Sequence, residues 1–164
     1  MRRGRPAAPG ELWFAIFGDA YFTVAARRVR HALAASGAPV WSYLFAFPSA
    51  TRNPALGACH MLEIPFVFGT TDATADLAEL VGVTRDVAEL SRSLIAAWSA
   101  FAHDGAPGGI GGTQWPQWSA ASGSTVVLDE GPIVVDDGER PELQTLESHL
   151  DPSAQGVRVK VALR

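Results

Sequence analysis

His60 is the residue whose type and setting most invite chemistry. It lies in LGACHMLEIPFVFG (56–69), behind three small residues, Gly57, Ala58 and Cys59, and ahead of a dense apolar block broken only by Glu63 and Pro65. A neutral imidazole titrates near neutral pH and passes a proton both ways, which is what a general base needs. A loop that follows a buried strand is also where scaffolds present catalytic groups. The bland alternative is a polar residue that ends a loop and bonds to nearby backbone, and from one histidine alone that role is the commoner. Glu63 could lie beside His60 on a helical turn, but an acid at a helix start more often serves the backbone. Cys59 and His60 are consecutive, so their side chains point apart, and a small buried thiol is the better reading of Cys59.

Other candidates carry less. The glycines of GGIGG (108–112) suit a flexible surface loop, because no strand precedes them and no helix follows. Trp98, Trp115 and Trp118 read as packing residues, and His31, His103 and His149 as surface residues.

The chain of 164 residues suits one domain, with 48% hydrophobic and 18% charged residues. It is apolar for its size, yet no uninterrupted apolar run reaches the ~18 residues of a membrane span. Five Trp and eight Phe argue against overall disorder. A net charge of −4 without a basic stripe weighs against nucleic acid. A single cysteine excludes an internal disulfide and a cysteine-based zinc site. Arg2, Arg3 and Arg5 are followed by Pro6 and Pro9 rather than by an apolar core, so no export signal is read and a cytoplasmic location is expected.

The elements that must position His60 follow from pattern. Residues 1–10 read as a disordered lead. Asp19 fits an N-cap for a helix over 20–36, closed by Gly37, with Arg27, Arg28 and Arg30 toward its C-terminal half. PVWSYLFAF (39–47) predicts a strand buried on both faces, as in a parallel sheet. Residues 48–58 are a loop, 60–69 a helical turn ending at Gly69, and 70–83 a mobile connection. Thr84 or Asp86 caps a helix whose apolar face is Val87, Leu90, Leu94, Ala97, Trp98 and Phe101, and Gly105 stops it. STVVLDEG and PIVV predict a hairpin, and VRVKVAL (157–163) one more strand. There is no internal repeat.

GDAYF, PVWSYLFAF, GACHMLEIPFVFG, WSAFAHDGAP, WPQW and a strand pair occur in this order. Together they resemble the C-terminal part of type B carboxylesterases, the family of cholinesterases and bacterial p-nitrobenzyl esterases, over residues 11–136. The resemblance implies an α/β class fold: the C-terminal part of an α/β-hydrolase, incomplete, with mixed sheet strands and flanking helices. It implies a Ser–Glu/Asp–His triad in which His60 is the histidine. Glu63, Ile64, Pro65, Phe66 and Phe68 would form the segment behind it. The small residues, Gly57 among them, would let the loop pass close to a nucleophile, and the apolar block would anchor that loop and keep water from the ring. No cofactor and no metal are expected.

The nucleophile elbow G-x-S-x-G is absent from the sequence. Chain order in this fold is serine, acid, histidine. The sequence therefore reads as the tail end of such a protein, inactive alone, with residues 137–164 as a tail of uncertain structure. Its partners would be a small carboxylic ester and a complementary N-terminal hydrolase segment, without nucleic acid or a membrane span. The alternative is a non-catalytic hydrolase remnant that acts as an interaction protein.

Overall fold

The computed structural model describes residues 9–51, 56–136 and 141–150. In chain order its elements are α1 (Pro9–Gly18), a π-helical segment (Asp19–Thr23), α2 (Val24–Ala35), β1 (Ser42–Phe45), α3 (Ile64–Phe68), α4 (Ala75–Val81), α5 (Arg85–Asp104), β2 (Gly109–Ile110), β3 (Thr113–Gln114), β4 (Ser124–Leu128), β5 (Ile133–Asp136) and α6 (Pro141–Leu150). They fall into two compact units, Pro39–Asp137 and a unit made of Met1–Ala38 with Gly138–Arg164.

In the second of these units, α1, the π-helical segment and α2 form one continuous helical run. Asp19 was expected to cap a new helix. Instead Gly18 adopts ordinary right-handed helical angles, φ −59° and ψ −45°, and the helix passes through it. Nothing between Pro9 and Asp19 forces a break, so the lead expected at 1–10 already turns helical at Pro9 and Gly10. The far end follows expectation. Gly37 takes φ +83°. Its N–H bonds to Ala34 O at 3.0 Å and Ala38 N–H to Leu33 O at 3.1 Å, the paired closure that a left-handed residue permits. Arg27 and Arg28 act on α6 rather than on the helix end: both reach the Glu147 carboxylate, at 3.4 and 2.8 Å.

The unit Pro39–Asp137 holds a three-stranded sheet in the order β1-β4-β5. β1 runs parallel to β4 with Ser42 opposite Thr125, and β5 returns antiparallel from β4 as the expected hairpin. Val126 and Leu128 of β4 are fully buried. The strand in PVWSYLFAF is shorter than predicted and is not buried on both faces: Tyr43 and Leu44 are 41% and 58% exposed. Among the described residues β1 is an edge strand with one hydrogen-bonded neighbour, so a composition suited to a sheet interior meets solvent.

α5 covers the core as its pattern predicts. The Thr84 hydroxyl accepts from Val87 N at 3.2 Å, and Gly105 ends the helix at φ +74°. Val87, Leu90, Leu94 and Ala97 are buried, and Phe101, at the end of the same stripe, is exposed. They join Phe47, Leu62, Phe66, Val81, Ile110 and Trp115 in one core. Two expectations are corrected. The connection 70–83 contains α4, which Thr74 caps by accepting from Leu77 N at 3.2 Å. The GGIGG stretch is not a loose loop: β2 and β3 form a hairpin turned by Gly111 and Gly112, at φ +54° and +81°, with Ile110 buried beneath it. Two consecutive left-handed residues are what the tightest hairpin turn demands, and glycine meets that demand without strain. The strand expected at 157–163 lies outside the described residues.

Candidate active site

His60 stands on the segment between β1 and α3, and both ends of that segment are fastened. Leaving β1, Ala46 and Phe47 both donate to Leu128 O, at 2.9 and 3.1 Å. Ser49 N–H then bonds to Gly57 O at 2.8 Å, and the Ser49 hydroxyl and Ala50 N–H both reach Leu80 O. At the other end the apolar block after His60 acts as the sequence predicts. Phe66 is fully buried, edge-on to Phe45 and Phe47 with ring centroids 5.3 and 5.4 Å away. The buried Ser91 hydroxyl donates to Phe66 O at 2.8 Å, and Gly69 closes α3 at φ +65°.

Between these anchors the chain makes a reverse turn. Leu62 N–H donates to Cys59 O at 3.2 Å, which places His60 and Met61 at the two central positions. The His60 side chain is exposed. The expectation that the apolar block keeps water from this ring is therefore not met within the described residues. Leu62, Pro65 and Phe66 of the block are buried, while Ile64 and Phe68 are exposed. The ring lies at an open groove of about 280 Å³, whose other walls include Cys59, Met61, Ile64, Leu77 and Leu80. Leu77 and Leu80 come from α4, the helix hidden in the expected loop.

Gly57 and Glu63 contribute differently from expectation. A Cβ on Gly57 would meet nothing within 4 Å, so room is not what this position requires here; its φ of +49° is. Glu63 starts α3 without a side-chain cap hydrogen bond, which corrects its reading as a capping acid. Its charge is felt by Tyr43, whose phenol is pushed above its ordinary value of 10.0, first by burial and second by Glu63. Cys59 is half-buried in the groove wall. His103 and His149 are exposed and His31 half-buried. Among the described residues no three His, Cys, Asp or Glu side chains gather as a metal site. No helix there is long and apolar enough to cross a membrane.

A second cavity, of about 160 Å³, lies between β1 and α5, walled by Trp41, Tyr43, Trp98, Phe101 and Trp115. Its rings meet edge-on or tilted, Tyr43 and Trp98 at 5.1 Å and Trp98 and Trp115 at 5.6 Å. Trp115 Nε1 donates to Ser42 O at 3.2 Å, and Trp115 and Trp118 are buried.

The mixed sheet and its helices make up part of an α/β-hydrolase fold, as comparison with known proteins shows. The structure is similar to a carboxylesterase of Geobacillus stearothermophilus, with a TM-score of 0.70 and 28% identity over 88% of this chain and 29% of that one. The Carboxylesterase family profile matches residues 3–145, and the chain belongs to that family. It is 34% identical to the para-nitrobenzyl esterase of Bacillus subtilis over 109 residues, 66% of this chain and 22% of the relative. It is also 34% identical to the phenmedipham hydrolase of Pseudarthrobacter oxydans over 129 residues, 77% of this chain and 26% of the relative. The chain thus spans roughly a quarter of the length of these relatives.

Proposed function

We propose that this chain is the C-terminal segment of a serine hydrolase that cleaves carboxylic esters through an acyl-serine intermediate, with His60 as the triad histidine. The observation that carries the reading is the placement of His60: exposed, on a turn fastened at both ends, at the mouth of an apolar groove. In this reading His60 takes the proton from the serine hydroxyl as that oxygen attacks the ester carbonyl, and gives it to the departing alcohol. It then takes a proton from water as the water attacks the acyl-serine, and gives it to the serine oxygen as the acyl–oxygen bond breaks and the carboxylic acid leaves. The serine, the acid and the oxyanion donors belong to sequence outside these 164 residues, in the same polypeptide or in a separate chain. Gly57 shapes the approach to the turn and Glu63 stands behind it. The esterase-like segment is taken as residues 11–136, between a lead at 1–10 and a tail at 137–164, in a cytoplasmic protein.

The reading is supported by family membership and by apolar surface left open on β1 and, separately, on α1, which suits a complementary hydrolase segment. The same surface favours the second reading, a non-catalytic remnant that binds a partner protein. An assay separates the two. The purified chain should turn over a short p-nitrophenyl ester no faster than free imidazole. The same chain joined to an upstream segment that carries a nucleophile elbow should gain turnover that a serine-directed organophosphate abolishes. No gain in the joined protein, with both parts folded, would favour the interaction-protein reading.

A further inference from the structure

Met61 is the only non-glycine residue among those described that has a positive φ, at +70°. It occupies the third position of the reverse turn closed by Cys59 O and Leu62 N–H, directly after His60. A left-handed third position is where glycine belongs, because any Cβ there crowds the backbone. A methionine at that point is strained. Packing within the described chain does little to offset this, because the side chain is 56% exposed. Met61 instead completes a surface: with Cys59, His60, Ile64, Leu77 and Leu80 it lines one groove. Apart from His60, no described residue of the groove wall carries an ionisable group other than the Cys59 thiol. A volume near 280 Å³ lies at the small end of ligand sites, suited to a short chain rather than to a large one.

We infer that Met61 is a specificity residue of this site, its flexible thioether forming the surface on which the short uncharged alkyl part of an ester rests beside His60. The inference takes the chemistry of the ligand from the ester-hydrolase reading. Its geometry does not depend on catalysis.

The test uses the purified chain at micromolar concentration and 2-octanone, an uncharged ketone that mimics a short alkyl ester and cannot be hydrolysed. Limited oxidation with hydrogen peroxide, read by peptide mass spectrometry, reports Met61 and Met1 separately. The ketone should slow oxidation of Met61 at least about threefold and leave Met1 unchanged. Thermal melts with and without ketone then compare Met61→Gly, Met61→Ala and Met61→Leu. Burial of a few tens of Å² on the thioether corresponds to binding about threefold to tenfold weaker in the glycine and alanine variants. These two should lose most of the ketone-induced rise in Tm, while Met61→Leu keeps it. Met61→Gly should itself melt no lower than the parent, because the strain is relieved, so lost binding is not lost folding. Unchanged Met61 oxidation up to the solubility limit of the ketone, or a rise in Tm fully kept in Met61→Gly, would overturn the inference. Ketone binding through Met61 without ester turnover in the joined protein would remove the hydrolase reading and leave this one standing. Turnover indifferent to Met61 would do the reverse.

Discussion

The Ser91 hydroxyl, buried on α5, donates to the Phe66 carbonyl of α3 at 2.8 Å. Phe66 O also meets the longer 3.4 Å approach of Gly69 N–H at the helix end. The Ser91 bond ties the block that carries the His60 turn to α5. Ser91→Ala should therefore cost about 1–2 kcal/mol, the usual effect of leaving a buried acceptor without its donor. Urea unfolding followed by tryptophan fluorescence at low protein concentration measures it. A loss under about 0.3 kcal/mol would mean that α3 is held by ring packing alone.

Tyr43 and Glu63 give a pH signature. Burial first, and the Glu63 charge second, hold the Tyr43 phenol above 10.0. A raised value in the folded state means that folding favours the protonated phenol. This contribution to stability is full below the unfolded-state value, near pH 10, and is lost as pH rises through the folded value. Glu63→Gln removes the smaller cause, so Tyr43 should titrate lower than in the parent yet still above 10.0. Absorbance at 295 nm follows the two tyrosines, and Tyr43→Phe identifies the shifted one. A titration unmoved by Glu63→Gln would contradict the assignment.

The sequence was legible where one local signal decides the structure. Thr84 and Gly105 bound α5, Gly69 ends α3, and the β4–β5 hairpin lies between its two apolar runs. It misled where a residue accepts two conformations. Asp19 reads as a cap, but Gly18 enters the helix as readily as it leaves one. ADLAELV holds good helix formers behind Thr74, yet the surrounding small and polar residues hid α4. PVWSYLFAF has the composition of an interior strand, and burial depends on neighbours that a strand's own residues do not encode. In the candidate site, the burial of Pro65 and Phe66 was readable from the apolar block, whereas the family resemblance, and not residue type alone, marks His60. The left-handed backbone of Met61 was not readable, because methionine gives no hint of it.

The helical run from Pro9 exposes apolar rings on more than one face: Trp13, Phe14 and Tyr21 are each about two-thirds exposed, at 64%, 67% and 66%. Phe17 stacks on Tyr21 at 4.3 Å, yet itself remains 41% exposed. Soluble monomers rarely leave so many large apolar side chains of one helix open. The chain alone should bind ANS strongly and elute earlier from size exclusion as its concentration rises. Trp13→Glu with Phe14→Lys should weaken both effects. A single monomer peak at every concentration, without ANS binding, would show a self-sufficient domain and favour the interaction-protein reading.

The central claim is that His60 is the base. Its most direct test is a chimera in which this chain replaces the aligned C-terminal part of the Bacillus subtilis para-nitrobenzyl esterase, assayed as kcat on a short p-nitrophenyl ester. His103 is an exposed histidine of the same chain and serves as the control. His60→Ala should lower kcat by about three orders of magnitude or more, as loss of a triad base does, while His103→Ala keeps at least half of the parent rate. Equal rates in the two variants of a folded, active chimera would remove His60 from the mechanism.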